Sequence, residues 1–445
     1  MKGTKKGVDV WEATQRRLKV VFRDFDNVVL AFSGGKDSGV MLNATLAHMR
    51  EHGITKKITV VHFDYEAQYQ ATTDYVTEVM TSNLDLIDPV WICLPMAVIS
   101  EVSMYQSHWK PWDPELEDIW VRPLPDAPGV IHTGNVPEGF PKYDGVWDYT
   151  FQEQVSRWLH RCSGADRTAI LVGIRTQESH HRQAAIHRED KHAMWQSYRW
   201  TTKLSDGVYN AYPIHDWNVE DVWVANGDRQ WSYNELYDLF HLVGVPLSDM
   251  RVASPFRGEG QENLKLYREI EPDTWGRLVG RVNGANFTAI YGGTRAMGAG
   301  KIKLPEGHTW KSYAVFLWKT LPEERRAEML PKIRTTMRYW TVSGGALTTG
   351  TAANLRENPP EDAAIEFLGA PTDNRKRKTP MEVVRFSRYP DDLSGRGPVA
   401  ELPDWRRMAL CFLRNDWQLK GMGFGQTAIR HTQRVRALEK LKEVL

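Results

Sequence analysis

An apolar run that breaks at two glycines and restarts at once as a helix sets the first limit on how this chain folds. Val28 to Phe32, VVLAF, reads as a strand buried on both faces, and Ser33-Gly34-Gly35-Lys36-Asp37-Ser38 follows it directly. Adjacent glycines admit dihedrals closed to other residues and let the backbone approach a neighbour closely. Val40, Leu42, Leu46 and Met49 then keep a helical spacing that ends near Gly53. A strand, a tight turn and a helix N-terminus form an anion nest, with amides and the helix dipole converging on one place. Ser33 and Ser38 add hydroxyls and Lys36 a point charge, while Asp37 either caps the helix or holds a magnesium ion that bridges phosphates. The spacing is not that of the GxxxxGK[ST] loop. The competing reading is a plain strand-to-helix turn that happens to hold two glycines.

The same alternation continues downstream. Asp9 to Phe25 has helical periodicity, Ile58 to Phe63 is β-rich, Thr73 to Met80 reads as a helix and Val90 to Leu94 as a third strand. This order predicts a parallel sheet in an α/β, Rossmann-like domain with helices on both faces. Thr168 to Ile174, TAILVGI, is a further buried-type strand, and 221–243 reads as mainly helical. Residues from about 105 to 150 are rich in Pro, Gly and Trp, which predicts an insertion or lid with sparse regular structure. At 445 residues the chain exceeds one typical domain. A nucleotide-binding domain over 1–282 and a mainly helical domain over 283–445 are expected, with 354–378 a surface loop and two helices in 405–445.

Hydrophobic residues make up 41% and charged residues 25%, with a net charge of +1, so no global field favours nucleic acid or membrane. No run of 18 apolar residues and no signal segment is present, and a cytoplasmic protein is expected. Three scattered cysteines, Cys93, Cys162 and Cys411, are too few for a disulfide framework or a cysteine-held zinc or iron–sulfur cluster. His180, His181, His187 and His192 read as solvated helix histidines rather than a metal site.

SGGKDS after a buried strand resembles the PP-loop of the ATP-pyrophosphatase superfamily, the adenine nucleotide alpha hydrolase-like fold. Later stretches resemble its phosphoadenosine-phosphosulfate (PAPS) reductase branch. In VVHFDYEAQYQATTDYV, His62, Phe63 and Asp64 stand where the branch cradles adenosine, although the branch's glycine and proline are not kept. The competing reading of Asp64 is a strand terminator. VGIRTQESHHR resembles the Gly-x-Arg-x-x-Glu-Ser-x-x-Arg segment, and the resemblance implies that Gly173, Arg175 and Arg182 join Lys36 around the phosphates, with Glu178 orienting an arginine. A surface salt-bridge cluster is the alternative. AYPIHDWNVEDVWV resembles the branch's Pro-Ile-x-Asp-Trp stretch, read here as packing with Asp216 the one functional candidate.

DMRVASPF, PEGHTWKSYAVFL and PDWRRMALCFLRND resemble the immunoglobulin-binding regulator A group found on phages and prophages, which implies a ParB-like partner. The reductases' cysteine-bearing tail is not matched by the final ALEKLKEVL, and Cys411 lies in an apolar stretch. The resemblance therefore implies ATP with magnesium as ligand, cleavage between the α and β phosphates, and an acceptor that enters as substrate or on a partner. Trp109 to Asp113 and Gly307 to Lys311 are read either as acceptor pocket or as packing. A sulfonucleotide enzyme borrowing external thiols and a non-catalytic nucleotide sensor are the alternatives. NRKRK at 374–378 and the basic C-terminal stretch read first as solvated faces, with nucleic-acid contact as the alternative. The branch also implies a homodimer or hetero-complex.

Overall fold

Helix α1, Val10–Asp24, begins where the Asp9 carboxylate accepts the Trp11 amide, and its Val10, Thr14, Leu18 and Val21 side is buried. The computed structural model describes residues 9–178, 186, 194–247, 249–258, 264–291, 302–372 and 379–424. Strand β1, Asn27–Ala31, follows, then α2, Lys36–Glu51, β2, Ile58–Phe63, α3, Gln70–Thr81, and β3, Ile87–Ile92. The third strand starts three residues earlier than its apolar run predicts: Pro89 breaks the pattern but sits within the pairing, opposite Val60.

The insertion contributes β4, Val130–Ile131, which pairs with β3 in parallel. Helix α4, Asp148–Ser163, ends at Gly164 in the left-handed conformation (φ 61°) and leads to β5, Thr168–Val172. Two strands not expected from the sequence, β6, Thr201–Ser205, and β7, Val208–Ala211, form a hairpin at the far edge. Helices α5, Val219–Arg229, and α6, Leu236–Leu242, follow, and α7 spans Pro272–Arg281.

The seven strands run in the order β4-β3-β2-β1-β5-β7-β6, parallel throughout except for β6. This is the expected Rossmann-like parallel sheet, flanked by helices. The central strand β1 pairs with β2 on one side and β5 on the other, so the turn after Ala31 opens at the carboxyl edge, between β2 and β5. Val29, Leu30, Val60 and Leu171 are buried beneath it with Val40, Met41 and Val76 from the helices.

The chain divides into two compact units. The first holds residues up to 98, 108–255 and 265–281, and the second holds 99–107, 256–264 and 282 onward. Helices α8, Trp310–Thr320, α9, Glu323–Arg338, α10, Thr349–Glu357, and α11, Trp405–Leu413, dominate the second. It also contains a three-stranded antiparallel sheet of β8, Gly345–Thr348, β9, Ile365–Phe367, and β10, Met381–Phe386, in the order β8-β10-β9. Helix α10 and β9 occupy part of 354–378, where a surface loop is expected. The basic run 374–378 and the second helix expected near the C-terminus lie outside the described residues. No helix among the described residues is long and apolar enough to cross a membrane.

Candidate functional site

The turn after β1 is held from both sides. Gly34 takes φ 75°, a conformation open to glycine. The Gly34 carbonyl accepts from Asn234 Nδ2 (2.9 Å), which also donates to Thr72 Oγ1 (3.0 Å). Ser33 and Ser38 face each other across the turn, their hydroxyl oxygens 3.0 Å apart, and the Ser33 amide donates to Ser38 Oγ (3.2 Å). Sequence order alone hides the role of Tyr237, whose buried hydroxyl accepts the Lys36 amide (2.9 Å) at the first turn of α2. One of the helix's orphan donors is thus already satisfied by protein.

Several charged side chains meet beside this turn. Arg175, three residues past the end of β5, donates from Nε to Asp37 Oδ1 (2.5 Å) and lies 3.4 Å from Glu178 Oε1 through Nη2. Lys36 Nζ lies 3.6 Å from Asp37 Oδ2 and donates to the Met250 carbonyl (3.0 Å). Arg175 and Lys36 are both buried. Burial pushes the Lys36 ammonium below its ordinary pKa, Arg175 and Arg251 act in the same direction, and Asp37 opposes them. Lys36, Asp37, Arg175 and Glu178 therefore form one cluster at the carboxyl edge of the sheet. Gly173 packs its backbone directly on Asp37 and Ser38. Arg182 lies outside the described residues, as do the four histidines.

Asp37 does not fit the role of a magnesium ligand in this arrangement, because one carboxylate oxygen accepts from Arg175 and the other faces Lys36. No group of three His, Cys, Asp or Glu residues that could hold a metal occurs among the described residues. A magnesium ion would have to arrive with the nucleotide.

The end of β2 departs from the expected adenosine cradle. His62 is buried and bonds the Phe32 carbonyl through Nδ1 (2.8 Å), and Phe63 packs edge-on against Phe151. Asp64 is fully enclosed: it accepts from Trp91 Nε1 (2.7 Å), from the Glu66 amide (2.8 Å) and from Arg122. Burial alone would raise the Asp64 pKa, but the Arg122 charge, His62 and the donated hydrogen bonds bring it below the ordinary carboxylate value. These contacts make Asp64 an anchor for the insertion. Glu66 is a second anchor, paired with Arg281 Nε (2.8 Å) and accepting the amides of Trp112 (2.7 Å) and Val121 (2.9 Å).

Trp109 and Trp112 are buried core residues, whereas in Gly307 to Lys311 Trp310 alone is buried and Thr309 caps α8. Asp216 forms a two-pronged pair with Arg17 of α1 (2.7 and 2.6 Å), a structural role in place of the functional one considered. Cys93 and Cys411 are buried with thiol pKa values pushed up by burial. Cys162 is exposed but lies at the end of α4, just before β5 begins, on the edge of the sheet opposite the loop.

Part of this parallel-sheet unit is a PAPS reductase-like domain. The phosphoadenosine phosphosulfate reductase domain model matches residues 138–244, a segment that carries Arg175 and starts after the Ser33–Ser38 turn. A domain of unknown function, DUF3440, matches 244–433. The chain belongs to the family of the Escherichia coli strain K12 "Uncharacterized protein YbdN", with 30% identity over 431 residues, 96% of this chain and 93% of that protein.

Among solved structures, the Candida glabrata FMN adenylyltransferase in complex with FAD and inorganic pyrophosphate is similar at 14% identity and a TM-score of 0.31, over 51% of this chain. That match spans 58% of the enzyme's own chain. The Candida auris PAPS reductase, solved as a phosphate complex, is similar at 16% identity and a TM-score of 0.28, covering 54% of this chain and 93% of that one. The U34-tRNA thiolase NcsA from Methanococcus maripaludis, with its [4Fe-4S] cluster, is similar at 12% identity and a TM-score of 0.28, over 65% of this chain and 84% of that one.

Proposed function

We propose that the chain binds ATP at the Ser33–Ser38 turn and transfers its adenylyl group to an acceptor, releasing pyrophosphate. The observation that carries this reading is the Lys36–Asp37–Arg175 cluster at the N-terminus of α2, on the carboxyl edge of a parallel sheet. In the reaction the acceptor's nucleophilic atom bonds to the α-phosphorus. The bond from that phosphorus to the oxygen bridging it to the β-phosphate breaks, and the electron pair leaves with pyrophosphate. Arg175 and Lys36 stand where they can meet the charge that develops on the leaving group, and Asp37 holds Arg175 in place until it does. Arg182 is assigned to the same clamp from the sequence. The adenine is placed near the end of β2, against Phe63 rather than the enclosed His62 and Asp64.

No described cysteine supports thiol chemistry at this edge, so a sulfonucleotide reaction would need an external thiol. The C-terminal motifs support membership of the immunoglobulin-binding regulator A-type group, with a phage setting and a ParB-like partner. Incubation of the full chain with α-labelled ATP and magnesium tests the reading. Labelled AMP or an adenylylated acceptor together with pyrophosphate supports it. Binding without turnover favours the nucleotide sensor, and sulfite from PAPS with added thiol favours the sulfonucleotide enzyme.

A further inference from the structure

The four described charges in contact at the turn cancel one another. Lys36 and Arg175 are matched by Asp37 and Glu178 within this one cluster. A cluster of that balance offers little net attraction to a group as anionic as a pyrophosphate. The missing positive charge has a place in the same unit. Met250 gives its carbonyl to Lys36 Nζ at 3.0 Å, and Val252 Cβ comes within 3.8 Å of the position a Cβ on Gly35 would occupy. The chain between them is thus fixed against the turn by both neighbours, and the residue between them is Arg251. Its side chain is exposed and has no hydrogen bond, ion pair or ring contact among the described residues. Its charge nevertheless reaches the turn, because it works with burial and Arg175 to make a charged Lys36 less favourable.

We propose that Arg251 is a specificity residue of this site, contacting the β,γ-diphosphate end of the nucleotide and making the site prefer a triphosphate to a monophosphate. The inference rests on the nucleotide reading given above. A guanidinium suits the task because its fork of donors matches phosphate oxygens two at a time and stays charged beside other cations. It also differs from Arg175, whose donors are already engaged by Asp37, Gln177 and Glu178. Among the described cations at the turn, Arg251 needs no partner exchanged before a phosphate arrives.

Calorimetric titration of the full chain with AMP and with the non-hydrolysable analogue AMPCPP tests this, using the wild type, Arg251→Ala and Arg251→Lys. The wild type should bind AMPCPP more tightly than AMP. Arg251→Ala should weaken AMPCPP by about tenfold or more, the loss of a charge-assisted hydrogen bond, while AMP changes by less than about twofold. Arg251→Lys should fall between, keeping the charge but not the fork. Equal weakening of both ligands, or no weakening of either, overturns the assignment while leaving nucleotide binding in place. Absence of binding by the wild type removes the nucleotide reading and this inference with it.

Discussion

Gly173 and Asp37 meet backbone to backbone: a Cβ placed on Gly173 would lie 2.8 Å from the Asp37 carbonyl oxygen and 3.0 Å from the Ser38 amide nitrogen. A contact that close means the end of β5 and the first turn of α2 cannot be moved independently. The expected result for Gly173→Ala is a displaced turn, a stability loss of about 1–3 kcal/mol and a fall in ATP affinity. Chemical denaturation and nucleotide titration on the same preparation check both parts. An alanine variant with wild-type affinity would show that the turn tolerates displacement.

Removing Arg175 leaves the Asp37 carboxylate partly buried with one cation in place of two, and leaves Glu178 without its neighbour at 3.4 Å. Arg175→Ala should therefore lower stability by about 3 kcal/mol or more and lower AMP release from ATP by about a hundredfold or more. Asp37→Asn keeps the shape but weakens the hold on Arg175, and should lose turnover with a smaller loss of stability. Initial rates of pyrophosphate release, compared with denaturation midpoints, separate the two variants.

The insertion depends on two buried carboxylates. Glu66 is fully buried, with Arg281 and the amides of Trp112 and Val121 as its partners. Glu66→Ala orphans both amides and leaves the Arg281 charge buried with only the Lys110 carbonyl, and should cost about 3–5 kcal/mol. Limited proteolysis should then cut within 110–124 in the variant before it cuts the wild type. Glu66→Gln, which keeps the acceptor oxygen, should be cut more slowly than the alanine variant.

Acid should weaken the first unit through its histidines. His48 in α2 is buried against Phe22 and His52, and burial, then the charges of His52 and Lys19, pushes its pKa down to about 4. His62 is also lowered, first by burial. Both folded values lie below the unfolded value of about 6.5, so the unfolded state takes up protons first as pH falls. The stability these neutral rings contribute is complete above about pH 6.5 and declines as pH drops from there towards 4. Denaturation of wild type and His48→Gln across this window should show a shallower decline in the variant. Parallel curves would assign the acid sensitivity elsewhere.

The parts of this fold that sequence exposes are the local ones. β1, the glycine turn and α2 are legible because a two-face-buried strand, a glycine pair and helical spacing each leave a short-range mark, and β2 falls on Ile58–Phe63 as its composition predicts. The resemblance and the rule that ligands gather at the carboxyl edge bring Arg175 to the turn, but its bond to Asp37, expected to cap the helix or hold magnesium, is not legible in the sequence. What sequence conceals is pairing across long separations. Glu66 and Arg281 are 215 positions apart, Asp64 and Arg122 are 58 apart, and neither pair has a periodic signature. Tyr237 and Met250 reach the turn from beyond the motif, from a helix read as packing and from DMRVASPF, read only as a subgroup resemblance. The hairpin β6–β7 is obscured because an edge pair with polar residues lacks the unbroken apolar run of a central strand.

Nucleotide chemistry at this edge of the sheet requires the Ser33–Ser38 turn to hold the phosphates. Equilibrium binding of labelled ATP, with magnesium, to the full chain and to Gly34→Ala is the most direct test. Gly34 takes φ 75°, and a Cβ there would lie 3.0 Å from Thr72 Cγ2 and Val76 Cγ2, so alanine must distort the turn. The prediction is saturable one-to-one binding by the wild type and a loss of about tenfold or more in the folded variant. No saturable binding by the wild type, or equal binding by both proteins, contradicts it.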